Sequence, residues 1–276
     1  MGRRLQILEP DLKVPMAGVD YVLNLPKPHL SYSQIDLYMQ CPTKYEKTYI
    51  QGVREPSSSA PMEGTVMSKV MDTAGRQFLE KGKWPSIKQM QKMHGDFARQ
   101  LWTAAILETG KPKGDSMDVV IRRGQMFLQN IWDELTLNPI MFKGKPGCEY
   151  EIKQDIAGVP FLGFVDMVEE GVVSDFKVAR STEWYDADHS LQLGTYSHCL
   201  QREYVRFIVF CKESMCIETL TSRRDLKKNA LWVNYSVAMV AKAISSGSFP
   251  PCNPAKNKLC SPKFCSFYSS CYGACR

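Results

Sequence analysis

The 276-residue chain has no long hydrophobic run. Its opening, MGRRLQILEPDLKV, carries two arginines but lacks the apolar stretch of a signal peptide, and Gln6 breaks the pattern for N-myristoylation. The most apolar later stretch, ALWVNYSVAMVAKAI, is interrupted by Asn234 and Lys242, so no membrane span is expected. A reducing, cytoplasmic location follows as the expectation. No Gly-x4-Gly-Lys-Ser/Thr loop is present, which argues against a helicase motor. A large excess of one charge is also missing: 35 basic residues against 29 acidic ones leave +6. That balance favours a polyanionic partner over an acidic one without deciding the matter. No internal repeat or low-complexity tract occurs.

With 44% apolar and 11% aromatic residues, the chain can build a sizeable core, as one large domain or one domain with a helical insertion. Residues 1–29, rich in Pro and Gly, read as an irregular arm. Ser31 followed by Gln34 predicts a capping box that opens a first helix, and Pro42 stops it after Cys41. A short helix TKYEKTYI follows, then a polar linker over 54–61. Apolar residues at three-to-four spacing predict helices over 64–82, 86–109 and 116–136. CEYEIKQDI, VPFLGFVDMV and GVVSDFKVA then read as a three-stranded meander. A helix near 188–201, two strands near 203–220 and a long helix near 223–246 complete the pattern.

Side chains alternate along a strand, so Val173, Asp175 and Lys177 share one face while Phe176 takes the other. Asp166 precedes Asp175 by nine residues, a separation that a tight hairpin folds into adjacency. Two carboxylates that must both stay ionised repel each other unless a cation sits between them. Hard oxygen ligands suit Mg²⁺ or Mn²⁺, and a lysine beside them offsets charge on a phosphate or handles an attacking water. The other reading makes Asp175 and Lys177 an exposed pair on an edge strand.

The ordered set of motifs resembles the PD-(D/E)xK nuclease superfamily, in particular its RecB-like branch, which includes AddB and the CRISPR-associated adaptation nucleases. The carriers are Gly163-Phe-Val-Asp166, Asp175-Phe-Lys177, and Gln192 with Tyr196 one helical turn on; the opening SYSQIDLYMQCP with Cys41-Pro42 adds to them. The likeness runs from about residue 30 to the C terminus. It implies an α/β (α+β) fold with a restriction-endonuclease-like core, a central mixed sheet flanked by helices. Residues 30–276 would form one nuclease domain, with a helical layer over 64–140, a catalytic core over 147–246 and a cysteine tail over 250–276. It further implies Asp166, Asp175 and Phe176 at the metal, Lys177 at the attacking water, and Gln192 and Tyr196 supporting DNA. Glu149 matches a glutamate often found in RecB-like domains; its other reading is a strand-end surface charge. The family's early Gly-Thr-x-x-His appears here with Ser68 in place of the histidine, which opens the reading of a silent DNA-binding subunit.

Ten cysteines in a reducing compartment leave buried thiols and metal ligation as the readings, and five of them crowd into residues 252–275. Cys148, Cys199, Cys211 and Cys216 read as small core residues. By resemblance to iron–sulfur RecB-like nucleases, Cys41, Cys260, Cys265 and Cys271 would hold a [4Fe–4S] cluster. The family spacing C-x2-C-x5-C is C-x4-C-x5-C here. The rival is a Zn²⁺ site from Cys260, Cys265, Cys271 and Cys275. Arg122-Arg123, Arg202, Arg206, Arg223-Arg224 and Lys227-Lys228 are candidates to track phosphates, or else solvated helix faces. The expected function is a metal-dependent DNA exonuclease in recombination, repair or phage replication. Its expected partners are DNA, a helicase, single-strand-binding or annealing protein, and further copies of itself in an oligomer. An iron–sulfur redox sensor is a weaker third reading.

Overall fold

The computed structural model describes residues 24–134 and 136–271, so most of the expected arm, and Cys275, lie outside the described residues. Seven α-helices and seven strands are described: α1 Tyr32–Gln40, α2 Pro42–Tyr45, α3 Ser59–Lys81, α4 Ile87–Thr109, α5 Met117–Glu134, α6 Leu191–Leu200 and α7 Leu226–Ser245. The strands are β1 Met141–Phe142, β2 Lys145–Pro146, β3 Cys148–Ile156, β4 Val159–Val168, β5 Val172–Ala179, β6 Tyr204–Cys211 and β7 Ile217–Arg223. β1 and β2 form a small ribbon; the other five make one sheet in the order β3-β4-β5-β6-β7. All its neighbours are antiparallel except β5 and β6, which run parallel and are joined through α6.

Period-two burial explains how one sheet serves two helical layers. On β6, Val205, Phe207 and Val209 pack with residues of α1, α6 and α7, whereas Ile208 and Phe210 pack with α3, α4 and α5. Helices thus cover both faces, giving the mixed α/β architecture expected.

Some boundaries differ from the sequence reading for local reasons. α3 starts at Ser59 rather than 64, because Pro61 in its first turn removes only an N–H that has no helical partner anyway. The linker ahead of it is tied down, with Ser59 donating to Lys113 O and Lys113 to Ser57 O at 2.8 and 3.0 Å. Ser31 caps α1 by accepting from the Gln34 N–H at 3.4 Å, but the Gln34 side chain turns to His29 O, so the reciprocal half of the box is missing. Ser86 and Gln89 form the complete box, at the start of α4. Cys41 ends α1 in an extended conformation, and Pro42 opens α2 instead of only stopping the first helix.

Candidate active site

β4 and β5 pair only at Met167 with Ser174 and at Val168 with Val173, and then part. Asp166 sits at the fork. Its Oδ2 accepts from the Phe176 N–H at 2.6 Å, taking the backbone donor that the ladder no longer satisfies. The Phe176 ring is buried against Phe210, so only its backbone faces this region. Asp175 and Lys177 share the face expected of them. Asp175 is 3% exposed, with Oδ2 lying 2.7 Å from Lys177 Nζ and Oδ1 accepting from Gln192 Nε2 at 2.6 Å. Gln192 also donates to Tyr196 Oη at 3.0 Å, so the two α6 residues act as one support for Asp175. On β4, Gly163 makes room for a neighbouring ring: a Cβ there would stand 2.9 Å from Phe161.

Glu149 lies opposite this fork on β3, between the paired Cys148–Met167 and Tyr150–Val165 positions. Its φ of 44° is left-handed, a conformation costing a non-glycine residue about 1–3 kcal/mol. The consequence is a switch of face: Cys148 packs with the α3 layer while Tyr150 packs with the α1 layer. The Glu149 carboxyl hydrogen-bonds Asp166. Burial and then Asp72 push its pKa up, burial and then Asp175 push Asp166 well up, and burial raises Asp175. Burial works against the Lys177 charge, but Asp175 and Asp166 outweigh it and hold the ammonium above its usual pKa.

These groups line a cleft of about 700 Å³ together with the first half of α3. Crowded acids whose pKa values burial, and then mutual repulsion, push up, with Lys177 ion-paired to Asp175, are a donor set of hard oxygens that suits a divalent cation such as Mg²⁺. Asp166, Asp175 and the Phe176 carbonyl, with Glu149 beside them, are the groups that fit it. The exposed-pair reading of Asp175 and Lys177 does not hold. Ser68 lines the cleft where the resemblance expects histidine, and Asp72, one turn further along α3, lines it too. Asp72 was not foreseen, although its four-residue spacing from Ser68 was the signal. Tyr185 is a second unforeseen lining residue. α1 reaches the same field: burial and then Asp36 raise Tyr32, with Asp175 adding to them, and burial raises Asp36 against the lowering pull of Tyr32 and Lys177.

The family model of the PD-(D/E)XK nuclease superfamily matches residues 29–272. The chain belongs to that superfamily. It is therefore a nuclease of mixed α/β fold. No curated protein matches its sequence. A solved structure from Eubacterium rectale, named as a candidate exonuclease, is similar over 91% of this chain and 90% of its own, at TM-score 0.52 and 10% identity. SSO0001, another solved structure, covers 75% of this chain and 85% of its own at 14% identity, with a TM-score of 0.36.

A second cavity, of about 160 Å³, is ringed by Cys41, Cys252, Cys260, Cys265 and Cys271. The sequence reading chose four of these and omitted Cys252. Cys252 contacts both Cys41 and Cys260, and burial with those hydrogen bonds pushes its thiol up to about 12. Tyr38 Oη and Thr43 Oγ1 donate to Ser248 O and Phe249 O at 2.6 and 2.9 Å, docking α1 and α2 on the start of the tail.

The basic residues divide differently from the expectation. Arg224 is 8% exposed and donates to the Ala187, Asp188 and Ser190 carbonyls, which fixes the loop that leads into α6. Arg206 is paired with Glu169 and Ser174, and Arg123 with Glu63 and Asp115. Lys227 and Lys228 remain exposed. Among the described residues, no helix is long and apolar enough to cross a membrane.

Proposed function

We propose that the chain is a RecB-like deoxyribonuclease acting at DNA ends as an exonuclease, by hydrolysis with Mg²⁺ or Mn²⁺. The observation that carries this is the convergence of Asp166, Asp175, Lys177 and Gln192 on one cleft whose buried acids leave a cationic need. The name of the Eubacterium rectale protein supports exonuclease action over endonuclease action. When bound, the divalent ion supplies charge to the phosphate and lowers the pKa of water. The protein's own residues do the rest. Asp166 and Asp175 are aimed by Phe176 N–H and Gln192, which removes the reorganisation that free carboxylates would need. Lys177, held cationic, offsets negative charge developing on the phosphate rather than acting as a base. Gln192 and Tyr196 hold Asp175 in place and thus position rather than react.

The cysteine-ringed cavity supports a [4Fe–4S] cluster over a single zinc ion. Four sulfurs at about 2.3 Å from one zinc would crowd within about 4 Å of one another. The tail sulfurs ring a cavity of about 160 Å³, which leaves room for a cluster between them. Ser68 motivates a second reading, a DNA-binding subunit without cleavage.

Anaerobically purified protein should be given end-labelled linear and circular DNA, single- and double-stranded, with Mn²⁺ or Mg²⁺, beside Lys177→Ala. Loss of label from linear DNA by wild type alone is the expected result. Binding without cleavage by both proteins would hand the function to the second reading.

A further inference from the structure

Cys211 and Cys216, read from sequence as small core residues, do sit in and against the core, and there they also form a cluster. With Glu218 they place two sulfurs and a carboxylate oxygen within 4.8 Å of one another at the β6–β7 hairpin. The backbone is bent to bring them together. Met215 is left-handed at φ 56°, and the Cys211 N–H donates to Cys216 O at 3.0 Å, closing the turn. Both thiols lean on the same oxygen, Glu218 Oε1, at 3.5 and 3.8 Å. The other oxygen, Oε2, accepts from Thr182 Oγ1 at 3.0 Å, which fixes the carboxylate plane. Ser214 Oγ lies 2.8 Å from Cys216 Sγ. Ligating carboxylates are commonly held by such outer hydrogen bonds.

We propose that Cys211, Cys216 and Glu218 form a binding site for a soft divalent cation of the zinc type, separate from both the acidic cleft and the tail cavity. Thiolate sulfur selects against Mg²⁺ and Mn²⁺, so the site does not compete for the cleft's ion. Three protein ligands leave a fourth tetrahedral position for water. Binding displaces the two thiol protons, one from each cysteine. Cys211 is buried and Cys216 half-buried, so the ion enters from the hairpin side. Thr182, which belongs to the segment leading to Tyr185 in the cleft wall, would be tied to the occupied hairpin through Glu218. The site rests on side chains at the hairpin alone and stands whether or not the protein cleaves DNA.

The test uses the full chain, reduced and purified anaerobically, with Zn²⁺ as the probe and a chromophoric chelator as competitor. Wild type should hold one zinc per chain more than Cys216→Ser, whatever the tail cysteines retain in both. Cobalt-substituted wild type should show thiolate-to-cobalt absorption in excess of that variant. Thr182→Val, which leaves every ligand in place, should weaken zinc binding about 10–100-fold. Circular dichroism keeps a folding failure distinct from a binding failure. Equal zinc content in wild type and Cys216→Ser, both folded, overturns the proposal. So does finding the two cysteines joined as a disulfide that binds no zinc after reduction.

Discussion

The acidic cleft and the cysteine-ringed cavity lie in one chain and are built on opposite plans. The cleft gathers hard oxygens from neighbouring strands, and its key pair, Asp166 and Asp175, comes from a local hairpin. The cavity gathers soft sulfurs from residue 41 and from 252–271, which only the finished fold brings together. The difference separates chemistry from cohesion. Removing a group from the cleft should cost rate, whereas removing one from the cavity should cost structure.

Lys177→Ala is the sharpest test of this contrast. Cleavage per folded molecule should fall about 10³-fold, a magnitude typical of a preorganised charge in a buried site. Cys41→Ser should do the reverse, lowering Tm while the folded fraction still cuts. Equal loss of rate in both variants would erase the distinction. Glu63→Ala should be almost as severe on stability. Glu63 is 4% exposed and pairs with Arg123 and, at 2.8 Å, with Lys212, so its removal leaves Lys212 without its partner and Arg123 with Asp115 alone. A cost of about 3–5 kcal/mol is expected in denaturant titrations.

His94 gives a smaller effect with a defined sign. Burial lowers its pKa to about 4 from an ordinary 6.5, so the folded state binds fewer protons than the unfolded one between those values. Its contribution is intact above pH 6.5 and is lost as pH falls toward 4, by about 2–3 kcal/mol at pH 4.5. Denaturant titrations of wild type and His94→Leu at pH 7 and 4.5 should show a steeper loss for wild type. Glu63 and Arg123 line the same pocket and are common to both proteins. The smallest effect belongs to Lys227→Ala with Lys228→Ala, which should flatten the salt dependence of DNA binding by about one or two phosphate contacts and leave Tm unchanged.

The strands were legible because alternation is local: the pattern of 148–179 gave the hairpin, the shared face of Asp175 and Lys177, and the place of Asp166. Gln192 and Tyr196 were legible through their four-residue helical spacing. What the sequence hid depends on distant partners. Arg224, Arg206 and Arg123 look like surface charge until their carbonyls and carboxylates arrive from other elements. Glu149 was visible as a candidate, but nothing local announces a left-handed residue inside a strand. Cys252 was hidden because its neighbours, Cys41 and Cys260, are set by the fold rather than by spacing. Cys216 packs against the core as the sequence reading held, but only the bent turn at Met215 brings its sulfur to Glu218.

The parallel pairing of β5 with β6 has a kinetic consequence. Asp166 and Asp175 meet through a hairpin, and hairpins close within microseconds. Gln192 and Tyr196 reach Asp175 only when α6 has crossed over and β6 has docked beside β5, a longer-range closure that is intrinsically slower. In refolding, strand signal should therefore return before cleavage does. The nuclease arms itself last.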